Sequence, residues 1–211
     1  MIRRLVGIYF SPIGGTARMT ETLISELADM LADCSPEKIT TECHDLLRMD
    51  SAGMVLDDET IAVIGLPVYV GKVPLPAVRM LQKIKPNGAI TLAAVSYGAR
   101  SFGNALFELQ HFAEEQGFNV IGAGAFAVRY RQDENRLDEK ALGAFGKAAA
   151  CKIRRLAGCE IDGLRIKPMP LILDGRLPFH GISRISPRAA AAAQGILQKI
   201  NRRYRDSEWY L

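Results

Sequence analysis

Short, uninterrupted apolar runs alternate along this chain with stretches whose apolar residues recur at helical spacing. Leu5-Val-Gly-Ile-Tyr-Phe10 and Thr60-Ile-Ala-Val-Ile-Gly-Leu66 are too short for core helices and too apolar for strands with one wet face, so they read as strands buried on both sides. Ala89 to Ser96 and Phe118 to Val128 repeat the pattern, whereas Ile39 to Leu46 alternates and reads as a strand nearer an edge. Between them Met19, Leu23, Ile24, Leu27, Met30 and Leu31 form one helical stripe. Further helices are expected near Ala77 to Lys83, through Leu106, Leu109 and Phe112, and over Leu137 to Ala157. Five strands joined by helices predict an α/β fold, a doubly wound five-stranded parallel sheet covered on both faces.

The 211 residues suffice for one substantial core, and a composition of 48% hydrophobic and 24% charged positions excludes disordered, collagen-like and disulfide-framework chains. No apolar run approaches the roughly 20 residues of a membrane span. The stretch after Arg3-Arg4 is too short for a signal-peptide core, which sets the expectation of a cytoplasmic protein. Cys34, Cys43, Cys151 and Cys159 form no CxxC pair and read as free thiols, and His44, His111 and His180 lack ligand spacing, so no metal site is expected.

The net charge of +4 is unevenly spread: residues 1–151 carry 15 Lys and Arg against 18 Asp and Glu, residues 152–211 carry 12 against 5. The segment Cys159 to Pro187, rich in proline and glycine, reads as a wrapping arm, and Pro187 to Tyr204 as a last helix opened by proline. That helix ends Lys199-Ile-Asn-Arg-Arg-Tyr-Arg205 without a nucleic-acid motif. It is expected to dock on the body, or on a second subunit in a homodimer, rather than on nucleic acid or membrane. The division is therefore a domain over 1–158 and a C-terminal arm and helix over 159–211.

Ligands of open α/β sheets bind beyond the carboxyl ends of the strands. Three loops there are unusual. Ser11-Pro-Ile-Gly-Gly-Thr16 leads into a helix, so close backbone approach, free N–H groups and a positive dipole end make a phosphate cradle, though no Walker loop. Pro67-Val-Tyr-Val-Gly-Lys-Val-Pro74 is a stiff, partly apolar wall, and Ser96-Tyr-Gly-Ala-Arg-Ser-Phe-Gly-Asn104 adds a tyrosine and backbone donors. Together they suit a planar, polar-edged ring tethered to a phosphate. Two other sites compete. Ala99-Arg-Ser101-Phe-Gly103, with Asp174 and His180 following, has the residue order of a serine hydrolase but a displaced nucleophile. Gly122-Ala-Gly-Ala-Phe-Ala127 matches a dinucleotide fingerprint, but a polar stretch, Arg129 to Arg136, follows where the fingerprint needs a helix, so close-packing glycines of a strand explain it better.

The loop Ser11 to Thr16 resembles the phosphate loop of flavodoxins. Gly65-Leu-Pro-Val-Tyr-Val-Gly-Lys-Val-Pro74 and Tyr97-Gly-Ala-Arg-Ser-Phe-Gly-Asn-Ala-Leu106 resemble the flavodoxin-like half of a bacterial and archaeal group in which that half is fused to a two-cluster ferredoxin. The resemblance spans roughly residues 4–158 and implies a flavodoxin-like fold and noncovalent FMN. It implies that Ser11, Ile13, Gly14, Gly15 and Thr16 hold the phosphate, and that Pro67, Tyr69, Val70, Gly71, Tyr97, Gly98 and Arg100 surround the isoalloxazine. The Val70–Gly71 peptide is then expected near N5, with Lys72 or Arg100 as counter-charges. Where the group has cluster cysteines, this chain has Ser183-Arg-Ile-Ser-Pro-Arg188. The expected function is FMN-dependent electron transfer or reduction, with a separate ferredoxin, reductase or small-molecule acceptor as partner. A cofactor-free binding scaffold is the alternative.

Overall fold

The computed structural model describes residues 2–49, 53–98, 101–131, 134–158 and 208–211. Strand β1 (Arg4–Tyr9) is followed by helix α1 (Gly15–Leu31), β2 (Thr40–Asp45), the short β3 (Met54–Val55) and β4 (Thr60–Pro67). Then come α2 (Leu75–Leu81), the short β5 (Ile84–Lys85), β6 (Ile90–Tyr97), α3 (Ala105–Glu115), β7 (Asn119–Arg131), β8 (Glu134–Leu137), α4 (Glu139–Ala157) and β9 (Glu208–Tyr210). The arm and helix expected between Cys159 and Tyr204 lie outside the described residues.

The main sheet runs β2-β1-β4-β6-β7 with every one of these pairs parallel. The five expected strands thus form a doubly wound α/β sheet. The chain leaves β1 toward β2 on one side and returns to β4 on the other, which puts the switch in strand order between β1 and β4.

Period-two alternation sends neighbouring residues of each strand to opposite cores. Val6, Ile8, Ala62, Ile64 and Leu66 meet Ala77, Val78 and Leu81 of α2 and Leu106 and Leu109 of α3. Leu5, Ile61 and Val63 meet Met19, Leu23 and Leu27 of α1 and Phe145 and Ala149 of α4. All eight residues of β4 are buried, as its unbroken apolar run requires.

Two elements depart from the sequence reading. β7 continues to Arg131 and turns back as β8, pairing Val128 with Leu137 in antiparallel register. The polar stretch Arg129 to Arg136 is therefore mostly hairpin: at a sheet edge, hydrophobic patterning is not required of a strand. Helix α4 accordingly begins after Leu137, where the Asp138 carboxylate accepts the Ala141 amide at 3.1 Å and caps the first turn.

The second departure is β9, which adds antiparallel to β7, pairing Ala123 with Tyr210 and Ala125 with Glu208. This strand accounts for the glycines of the dinucleotide-like run. A Cβ on Gly122 would stand 2.5 Å from Leu211 Cδ2, and one on Gly124 would stand 2.5 Å from the Phe126 ring and 3.2 Å from Trp209 Cβ. The run is a strand thinned to seat the C-terminal residues, with the Trp209 ring 6.2 Å from that of Phe145.

Among the described cysteines Cys34 is buried and Cys43 and Cys151 are exposed, all as free thiols. No helix among the described residues is long and apolar enough to cross a membrane.

Gly124→Val overfills this seat and is expected to cost about 1–3 kcal/mol. Trp209 is the chain's one tryptophan, so its fluorescence reports β9 directly. The variant should show red-shifted emission under native conditions, and emission identical to the parent's would contradict the seating.

Candidate functional site

The loops after β1, β4 and β6 meet at the switch in strand order. The first reverses the chain into α1 through Gly14, whose φ of +86° suits glycine and strains other L-residues. A Cβ there would meet nothing within 4 Å, so the loop borders open space. The Ser11 hydroxyl turns inward and accepts the Ala17 amide at 2.9 Å. The amides of Ile13, Gly14, Gly15 and Thr16 have no partner among the described residues. Gly15 and Thr16 begin α1, so their N–H groups coincide with the positive end of its dipole. The Thr16 hydroxyl lies 2.7 Å from that of Ser96 at the end of β6, tying the cradle to the sheet. Ile13 stands 60% exposed beside it.

The second loop is a tight hairpin. Tyr69 donates its amide to Lys72 O at 2.9 Å, and Lys72 returns its own to Tyr69 O at 3.1 Å. The two central residues have positive φ, +55° at Val70 and +75° at Gly71, as a primed two-residue turn demands. A β-branched valine in that region is strained by about 1–3 kcal/mol. Within the turn, the Val70 carbonyl and the Gly71 amide, the two ends of one peptide unit, have no hydrogen-bond partner among the described residues. Tyr69 and Val70 are 44% and 53% exposed.

The hairpin is held from the side by the start of α3. The Asn104 amide donates to Gly71 O at 2.9 Å. The backbones of Gly71 and Gly103 are so close that a Cβ on Gly103 would stand 2.7 Å from Gly71 Cα. The carboxylate of Glu108, 2% exposed, accepts the Val73 amide at 3.2 Å. Nothing in the sequence marks Glu108, because a glutamate on a helix ordinarily faces water.

The structure therefore brings Ser11, Ile13, Gly14, Gly15 and Thr16 into one cradle and Tyr69, Val70 and Gly71 into one turn. Pro67 is the buried last residue of β4, and Gly98 is exposed just past β6. Tyr97 is 4% exposed, with its ring 5.7 Å from that of Phe102, so it backs the site from the core. Arg100 lies outside the described residues, as do Asp174 and His180 of the hydrolase reading. Ser101 accepts the Gly103 amide at 2.9 Å and so shapes the turn before α3. A separate hollow of about 470 Å³, lined by Gln82, Asn87 and Gln116 among others, lies by the amino ends of β6 and β7, the end of the sheet that ligands of this architecture do not use.

Near the cradle, the Tyr9 hydroxyl donates to Glu21 Oε1 at 2.9 Å. Burial first, and then that hydrogen bond and the Glu21 charge, push the Tyr9 phenol up to about 12. Since the unfolded phenol ionises near 10, the fold loses this contribution as the pH rises from there toward 12. Glu21→Gln removes the charge but not the burial. Ultraviolet titration should find Tyr9 ionising below its parent value yet above 10; an unmoved titration would contradict the pairing.

No family model matches the chain, and no curated protein does. Solved structures do. A flavodoxin from the domain Archaea is 17% identical, with a TM-score of 0.50, over 72% of this chain and 99% of its own. An oxidoreductase from Corynebacterium diphtheriae is 12% identical, with a TM-score of 0.54, over 75% and 98%. An NADH:FMN oxidoreductase in its apo form is 11% identical, with a TM-score of 0.52, over 71% and 89%. Together with the strand order of its parallel sheet, this gives the chain a flavodoxin-like fold.

Proposed function

We propose that the chain binds FMN noncovalently and serves electron transfer or flavin-dependent reduction. The observation that carries this reading is the pairing of two unsatisfied backbone features at the switch point. One is the row of amides from Ile13 to Thr16, the other the Val70–Gly71 peptide, neither of which has a partner among the described residues. Main-chain groups left unpaired in this way are taken up by water or by a ligand. A phosphate fits the first: it needs several convergent donors and gains from the helix dipole. The open space over Gly14 leaves room for it.

In this reading Ser11, Ile13, Gly14, Gly15 and Thr16 form the phosphate subsite, with Ser11 fixing the loop through the Ala17 amide. Pro67, Tyr69, Val70, Gly71, Tyr97 and Gly98 surround the ring. The exposed Tyr69 ring supplies an aromatic face, and Tyr97 braces its side from within. FMN supplies the electron chemistry, which the protein tunes through groups near N5 and N1. The Val70–Gly71 peptide has both an N–H and a carbonyl, so it can donate to N5 of an oxidised ring or accept from N5–H of a reduced one. Glycine at position 71 keeps the rotation accessible. Lys72, exposed on the turn, is a cation available to a reduced ring.

The redox partner in this reading is a separate ferredoxin or reductase, or a small-molecule acceptor, encountered in the cytoplasm. Resemblance in fold to an archaeal flavodoxin and to an NADH:FMN oxidoreductase supports a flavin without choosing between carrier and enzyme.

Titration with FMN and with riboflavin tests the reading. The parent should bind FMN more tightly than riboflavin by about tenfold or more, roughly 1.4 kcal/mol for the phosphate. Gly14→Val should erase most of that difference while leaving riboflavin affinity unchanged. Equal affinity of the parent for the two flavins would contradict the cradle.

A further inference from the structure

Glu108 is not among the residues proposed to surround the flavin. It sits in the first turn of α3, 2% exposed. One carboxylate oxygen accepts the Val73 amide at 3.2 Å, while the other, Oε1, is buried with no hydrogen-bond partner among the described residues. A buried acid half-satisfied in this way opposes folding, and an apolar residue would fill the position at lower cost. Its one contact falls on the residue that leaves the Tyr69–Lys72 turn. The same stretch of chain, Gly103 to Glu108, also holds the turn at Gly71 through the Asn104 amide and the close glycine backbones. These ties oppose the strain of Val70 at φ +55°. Without them the turn would relax, and the Val70–Gly71 peptide would no longer be held at the edge of the ring.

Resting on the flavin reading, we propose that Glu108 is a positioning residue: through the Val73 amide it holds the Tyr69–Lys72 turn so that the Val70–Gly71 peptide faces the bound ring. Its charge gives the hold a pH dependence. A carboxylate accepts an N–H more strongly than the neutral acid does. Burial pushes the Glu108 carboxyl up, and the Val73 amide and Lys72 pull it back. Lys72 is the charged group acting on it among the described residues. The hold therefore tightens as the pH rises through a range above that of an exposed glutamate. Over that range the fold loses stability, because the unfolded chain releases this proton first.

The test uses the full chain, E108A and E108Q. Hydrogen exchange of the Val73 amide is measured without ligand, and FMN affinity is measured across pH. E108A should exchange that amide and release FMN about tenfold more readily, as loss of a charge-assisted hydrogen bond implies. E108Q keeps an acceptor of the same shape. It should protect Val73 and bind FMN within about threefold of the parent at acid pH. The ratio of parent to E108Q affinity should then rise with pH, the phosphate's own titration cancelling in the ratio. A flat ratio, or parent-like exchange and affinity in E108A, would overturn the role of Glu108 and leave the flavin reading intact. Absence of FMN binding by the parent would overturn the flavin reading, and this proposal with it.

Discussion

The reversal of the chain between β1 and α1 is the constraint on which the site depends. β1 is hydrogen-bonded on both sides, to β2 and to β4, so its register and direction are fixed by the middle of the sheet. The helix that follows must fold back against the same sheet, where Met19, Leu23 and Leu27 are fully buried. Between these two rigid elements the chain has only Phe10 to Gly14 in which to turn, and it does so through a left-handed backbone at Gly14. The consequence is electrostatic. The first amides of α1 open toward the carboxyl edge of the sheet, where no carbonyl among the described residues reaches them. The cradle thus follows from the packing of α1 together with the left-handed turn at Gly14.

The second half of the site is built by the opposite means. The Tyr69–Lys72 turn has little core of its own, with Tyr69 and Val70 exposed and a strained valine at its tip. Its geometry is imposed by α3 and the two residues before it, through Gly103, Asn104 and Glu108. A rigid cradle next to an externally held turn suits a ligand with two chemically different ends. One end needs constant binding. The other needs a backbone whose orientation can answer the ligand's state.

How much of this could be read in the sequence follows from what each element must bury. β1, β4 and β6 were legible because strands covered on both faces need unbroken apolar runs, and α1 because its buried stripe keeps helical spacing. The loops were legible because glycines between a strand and a helix have few other uses. β8 was hidden because strands paired at an edge, ending β7 at Arg131 and opening β8 at Glu134, need not alternate, and β9 because three residues carry no periodicity. The glycines at 122 and 124 were rightly assigned to packing, but what they make room for, Trp209 and Leu211, lies far along the chain. Glu108 was illegible for a simpler reason: its spacing on α3 is compatible with either face, and only the approach of Val73 shows that it is buried.

The central claim is that the amides of residues 13–16 receive a phosphate whose attached ring lies against the Tyr69–Lys72 turn. Its most direct test is the amide resonances of a ¹⁵N-labelled chain with FMN and then with riboflavin. The account predicts downfield shifts at Gly14, Gly15 and Thr16 with FMN only, and shifts at Val70 and Gly71 with both. Shifts confined to the hollow around Asn87 and Gln116, or cradle amides that respond equally to riboflavin, would contradict it.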